Sequence, residues 1–302
     1  LNQEKKVWRN GNLIPWEEAT VHIMSHSFTR GSAVFEVLAF YSTPHGPAAF
    51  RLPEHCDRLI RSAELLNMEI VQSKQEIIRA VAETVRANNL DQGFVKIVGF
   101  LGEETFVITV PDPKLELSIF AISAQEFRPK NSPQAISSCL SRWRRLHPET
   151  VPVEAKVAAN YLNGMLARQE AQRRGFDLGL MLDGQGFLAE GSVESAFMVK
   201  DGVLMTPSLG RILPSITRRS VLEAAPAIGL KTLEKPISLP ELLNADEIFI
   251  SSTSRRVMPV YRIEDRSLGE VPGPVTSRVL RLIEAICSGR DDRFRRWLYP
   301  IR

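Results

Sequence analysis

Residues 125–133 read Gln-Glu-Phe-Arg-Pro-Lys-Asn-Ser-Pro, a polar run with two prolines. Proline lacks the N–H that a helix or ladder interior needs and fixes its own φ, so such a run interrupts regular structure. The interruption splits the 302 residues into two stretches, each of ordinary domain size. The expected organisation is a small N-terminal α/β domain over 1–124, a linker over 125–133 and a larger C-terminal α/β domain over 134–302.

Local signals fill in both stretches. Val34 to Tyr41 is rich in β-branched and aromatic residues and predicts a strand, with its turn at Ser42–Gly46 and a return over Ala48–Leu52. Pro53 and Glu54 open a helix whose apolar face is Leu59, Ala63 and Leu66. Ser73 and Glu76 form a capping box before a second helix carrying Ile77, Val81 and Val85. Phe94–Leu101, Thr105–Val110 and Leu117–Ser123 read as strands.

In the second stretch, strands are expected near Ala135–Ser141, at Leu178–Leu182 and at Glu247–Ile250. A helix from about Ala158 to Arg174 should stop at Gly175. Asp201-Gly202 between two apolar runs predicts a type I′ hairpin. Helices begin near Ser215 and at Pro274, and the charged, aromatic tail after Ser288 is either solvated or docked. Leu13–Ala19 reads as a short connection, and Leu1–Asn10 is polar and charged.

Composition excludes several classes. Lys and Arg total 38 against 35 acidic residues, too slight an excess to indicate nucleic acid. No apolar run approaches the roughly 20 residues that span a bilayer. Cys56, Cys139 and Cys287 form no close pair, so they read as reduced thiols rather than a disulfide framework. With no Cys/His cluster, no metal is expected. These points, with no leader in Leu1–Asn10, predict a cytoplasmic protein.

Lys156 lies between Val153-Glu-Ala155 and Val157-Ala-Ala159. A lysine among small apolar neighbours loses solvation of its ammonium form, and the neutral amine is the form that attacks a carbonyl. Most lysines are simply solvated, and this context leaves both readings open.

The string Ala155-Lys-Val-Ala-Ala-Asn-Tyr-Leu-Asn163 resembles the lysine motif of the fold-type IV pyridoxal-phosphate enzymes. Six further blocks resemble that group in order: His22–His26, Gly31–Glu36, His55–Arg58, Leu188–Ser192, Leu213–Thr217 and Ser251–Thr253. The resemblance is closest to the branched-chain aminotransferases. It implies a two-domain fold and a homodimer that binds pyridoxal 5′-phosphate. Lys156 would hold the cofactor covalently and move the substrate Cα proton. Glu190 would face the ring nitrogen, Tyr161 the phenolic oxygen and Leu213 the ring face. Arg58, Ile216, Thr217 and Thr253 would hold the phosphate. Read alone, Glu190 is equally a turn carboxylate, Tyr161 and Leu213 core residues, Arg58 a partner for Glu54, and Ser215–Thr217 a helix cap.

The substrate-facing positions depart from the branched-chain pattern. Arg30 stands where Tyr is usual, Val37-Leu38-Ala39 where Gly-x-Arg is, and Phe94-Val95-Lys96 where Tyr-x-Arg is. Ser195 replaces an Asn and Ser215 a Gly. A substrate carboxylate needs a cation or N–H donors, so Arg30, Lys96 and the backbone of Thr253 and Ser254 are the candidates, with Phe35 beside them. The expected activity is amino transfer between a branched-chain-like amino acid and a 2-oxo acid. Alternatives are a lyase of the aminodeoxychorismate type, a D-amino-acid or (R)-amine transaminase, and a non-catalytic cofactor-binding relic.

Overall fold

A computed structural model of the chain describes residues 5–127 and 133–301. These form two units. One comprises the described residues of Leu1–Lys130 with Ala155–Ala159 and Ile286–Arg302; the other has those of Asn131–Glu154 and Asn160–Ala285. The division differs from 1–124 and 134–302 at two pieces of the second half. Both join the first unit through backbone hydrogen bonds described below, and the units therefore contain nearly equal lengths of chain. Of the stretch 125–133, the helical turn Ala124–Phe127 takes the first residues, and 128–132 lie outside the described residues.

The first unit is built on an antiparallel sheet. Its strands follow the order Leu298–Pro300, Gly46–Phe50, Val34–Thr43, Gly93–Phe100, Lys114–Ser123, Lys6–Arg9 and Asn12–Pro15. Alternation along Val34–Thr43 sends Val34 and Leu38 to the face covered by helices Leu52–Glu64 and Lys74–Ala87. There they pack with Leu59, Ile77, Val81, Ile97, Leu117 and Ile119, all essentially unexposed. Each such side chain contributes roughly 1.5–3 kcal/mol on burial. Both helices start as their sequences dictate: Pro53 lies in the first turn of one, and the Ser73–Glu76 capping box closes the other.

The charged tail is docked. Leu298–Pro300 pairs antiparallel with Gly46–Phe50, and Phe294 and Trp297 are buried. The Arg51 guanidinium lies 3.7 Å from the centre of the Trp297 ring, and Arg51 N–H donates to the Trp297 carbonyl. Thr105–Val110, expected as a strand, is not one. Only Glu104 makes an isolated bridge, to Ser25, and Phe106 and Ile108 are exposed. Its residues have the right propensity, but among the described residues no strand offers them a ladder.

In the second unit Leu188–Glu190 pairs with both Leu178–Leu182 and Ser195–Lys200. Six strands thereby close on themselves, running Leu188–Glu190, Leu178–Leu182, Ile136–Leu140, Arg256–Ile263, Glu247–Ser252 and Ser195–Lys200. Leu178, Leu180, Ala196, Met198, Ile248 and Ile250 fill one core. The Asp201-Gly202 turn has φ of 49° and 74°, the left-handed pair that a type I′ hairpin needs. Among the described residues no helix is long and apolar enough to cross a membrane, and no cluster of His, Cys, Asp and Glu is placed to hold a metal. All three cysteines are buried and outside any disulfide; burial pushes the Cys56 thiol up to about 12.

Candidate active site

In the first unit, Lys156 is fastened by both of its backbone groups. Its N–H donates to Ser62 Oγ at 2.9 Å, and its carbonyl accepts from Phe35 N–H at 3.0 Å. Neighbouring bonds extend the strap: Val157 bridges Val34, Ala158 N–H donates to the Ala33 carbonyl, and Ala159 N–H to that of Gly31. This is why Ala155–Ala159 belongs with the first unit. Gly31 sits at φ 68°, and a Cβ there would crowd Ala159 Cβ at 3.1 Å, so a side chain would be both strained and obstructed. The Lys156 ammonium lies 4.8 Å from the Phe35 ring centre and that of Lys96 5.1 Å from the same centre. Burial holds the Lys96 amine below its usual range.

Ser62 links the lysine to Arg58. Its hydroxyl donates to the Arg58 carbonyl one turn earlier at 2.8 Å while accepting from Lys156. Arg58 does not pair with Glu54, as the helix spacing had allowed; Glu54 bonds Arg51 at 3.4 Å. Instead Arg58 donates to both carboxylate oxygens of Glu36, at 2.7 and 2.8 Å. Glu36 also bonds His55 Nδ1 at 2.7 Å. Strand alternation explains the pairing, because Glu36 points to the helix-covered face between Val34 and Leu38 and is fully buried. Burial alone would raise its carboxyl. The Arg58 charge and bonds, with those from His55, outweigh this and hold it at about 2. Burial also lowers His55, helped by the Arg58 and Lys156 charges and opposed by Glu36.

In the second unit, Glu190 ends its short strand opposite Ser195 and is almost fully buried. It forms an ion pair with Arg145, a residue that no local pattern singles out. Tyr161 begins the helix Tyr161–Arg173. That helix lies so close to the loop after Glu190 that a Cβ on Gly164 would collide with the Ser192 carbonyl. Below the loop, buried Glu194 bonds Arg168 at 2.5 Å and accepts from Val193 N–H at 2.9 Å.

The helix Ile216–Ala224 is capped by Ser215, whose hydroxyl accepts from Arg218 N–H at 3.2 Å. Ser215 has φ −68°, a conformation open to any residue, so the Gly of the resembling motif is not needed here. The amides of Ile216 and Thr217, the first two of the helix, have no intrahelical acceptor by geometry. Thr217 is buried, and Leu213 lies just before the cap. Thr253 and Ser254 follow the strand Glu247–Ser252, with Ser254 Oγ 3.5 Å from Ser252 Oγ. Arg30, at the end of the helix His26–Arg30, donates to the Phe106 carbonyl at 3.0 Å.

Residues 33–263 match the family model described as amino-transferase class IV. The chain belongs to the class IV aminotransferases. The branched-chain-amino-acid aminotransferase of Pseudomonas aeruginosa is 36% identical to it over 293 residues, covering 96% of this chain and 95% of that protein. Among solved structures, the branched-chain aminotransferase of Thermoproteus uzoniensis with norvaline superposes with a TM-score of 0.94 at 35% identity, over 99% of both chains. That of Thermobaculum terrenum in its PLP form gives 0.91 at 32%, over all of both chains. This class IV aminotransferase thus has the two-unit α/β fold that its sequence led us to expect.

Proposed function

We propose that the enzyme transfers an amino group between a branched-chain-like amino acid and a 2-oxo acid, using pyridoxal 5′-phosphate. The observation that carries this reading is the fixture of Lys156, pinned at N–H and carbonyl and tied through Ser62 to the helix bearing Arg58. A lysine on an ordinary solvated surface has no need of such restraint. Its relatives from Pseudomonas aeruginosa and Thermoproteus uzoniensis, both branched-chain aminotransferases, support the branched-chain preference.

The residues fit the cofactor chemically. A phosphate suits the Arg58 guanidinium, the first amides of the Ile216 helix and the Thr217 hydroxyl, with Thr253 as a further ligand. A buried carboxylate, Glu190, suits a protonated ring nitrogen; Tyr161 and Leu213 serve the phenolic oxygen and the ring face. When bound, the group supplies an aldehyde carbon for the amino nitrogen and a ring that absorbs the electron pair left at the substrate Cα. The chain does the rest. Lys156 Nζ takes the Cα proton and returns it, and Ser62 and Phe35 fasten the backbone that carries that amine. Glu190 retains the proton at the ring nitrogen. Lys96 and Arg30, with the Thr253 and Ser254 amides, answer the substrate carboxylate, and Phe35 packs beside it.

The enzyme acts in the cytoplasm as a homodimer. Val21, Ile23, Phe28, Phe106 and Ile108, all large apolar side chains of the first unit, are exposed, which suits a surface covered by a partner. Val21 and Phe28 also line a cavity of about 420 Å³, together with Trp16, Phe100 and Phe120. Spectra of the holoenzyme with L-, D- and achiral amines test the reading. Conversion to the pyridoxamine form by an L-branched-chain donor alone, reversed by a 2-oxo acid, is expected. Continuous pyruvate formation without acceptor would mark a lyase instead. Replacing Lys96 or Arg30 by Met should raise the KM for the oxo acid; unchanged values for both would remove them from the site.

A further inference from the structure

The ion pair between Arg145 and Glu190 points to a role not yet assigned. Arg145 is 9% exposed and Glu190 8%, so neither charge is there for solubility. Arg145 is held from two further sides. Its N–H donates to the Leu182 carbonyl at 2.9 Å, which fixes its backbone to the end of a barrel strand. Its Nη1 donates to Asn163 Oδ1 at 3.4 Å, and Asn163 Nδ2 donates to the Arg144 carbonyl at 3.0 Å. Asn163 lies two residues after Tyr161, in the first turn of the same helix.

A buried carboxylate without a counter-ion tends to take a proton or to turn away. Glu190 can keep a proton on a neighbouring nitrogen only if it stays ionised and aimed. We propose that Arg145 is the positioning residue that does this, holding Glu190 ionised and directed at the cofactor's ring nitrogen. The inference rests on the reading of Glu190 given above. It assigns Arg145 no contact with substrate or cofactor; its effect passes through Glu190. Asn163 extends the fixture, so one helix sets both Tyr161 and the guanidinium behind Glu190.

The test uses holoenzyme reconstituted with pyridoxal phosphate labelled with ¹⁵N in the ring, comparing wild type with Arg145→Met, Arg145→Lys and Glu190→Gln. The ring-nitrogen resonance reports its protonation, which a purely structural role for Arg145 would not move. Arg145→Met should shift it in the same direction as Glu190→Gln, with Arg145→Lys between them, because Lys restores the charge but not the planar fork. The donor half-reaction should slow about 10–100-fold in Arg145→Met, with the donor KM changed less than threefold. The double variant should be no slower than Glu190→Gln alone, since the two residues act in series. If Glu190→Gln moves the resonance but Arg145→Met and Arg145→Lys leave it at the wild-type position, the proposal for Arg145 is overturned and that for Glu190 stands. If Glu190→Gln moves nothing, both fall. Should Arg145→Met fail to fold, Arg145→Lys carries the same decision.

Discussion

Replacing Glu36 by Gln should destabilise the first unit strongly, and it should do so in a pH-dependent way. Glu36 is unexposed and is the shared acceptor of Arg58 and His55. Removing its charge takes away the buried carboxylate that both Arg58 and His55 bond, a loss of roughly 3–5 kcal/mol near neutral pH. The linkage has a definite sign. The folded carboxyl is lowered to about 2 from a usual 4.5, so its contribution is complete above pH 4.5 and is lost as pH falls toward 2. That difference corresponds to on the order of 3 kcal/mol, of which about 2 kcal/mol is gone by pH 3. Urea titration followed by tryptophan fluorescence is a suitable assay, since Trp8, Trp16 and Trp297 all belong to the first unit. Wild type should lose stability between pH 5 and pH 3 in excess of the Glu36→Gln variant. The reasoning fails if the variant lies within about 1 kcal/mol of wild type at pH 7 and the two decline in parallel.

Two further substitutions probe the other fastenings. Ser62→Ala strands the Lys156 N–H and should cost about 1–3 kcal/mol in a thermal melt; it should also shift the pH at which the bound cofactor's absorbance changes, whereas Ser62→Thr should keep both near wild type if its hydroxyl retains the bond. Gly164→Ala forces a Cβ into the Ser192 carbonyl, and because backbone cannot yield cheaply, cofactor affinity should fall at least about tenfold, or about 1.4 kcal/mol, by equilibrium absorbance titration.

Much of the fold was legible because it is decided locally. The Ser73–Glu76 capping box, the Asp201-Gly202 hairpin and the stop at Gly175 each depend on a few adjacent residues, and each formed as read. What failed depends on distant partners. Thr105–Val110 has strand-like residues but no ladder to join. Arg256–Ile263 gives no clear strand signal because Pro259 interrupts its pattern, yet it lies inside the barrel between Glu247–Ser252 and Ile136–Leu140. Lys6–Arg9 lies in a polar, charged stretch yet forms a strand, with Val7 and Trp8 buried. The tail after Ser288 could not be assigned from its charge, since docking depends on Arg51, some 240 residues earlier.

The candidate site divides in the same way. Lys156 stood out by its apolar neighbours, and the remaining cofactor positions through the resemblance of seven blocks. Their supports had no local signature. Glu36 was visible only as part of a block, Ser62 as a serine on a helix, and Arg145 as one of several arginines; what distinguishes them is proximity across 19 to 94 residues of sequence.

The most direct measurement is borohydride reduction of the holoenzyme followed by tryptic mapping. A pyridoxyl group on Lys156 blocks cleavage there, so the label should appear in a single peptide spanning 146–168. Label on Lys96 or any other lysine, or none at all, would contradict the assignment of Lys156 as the reactive amine.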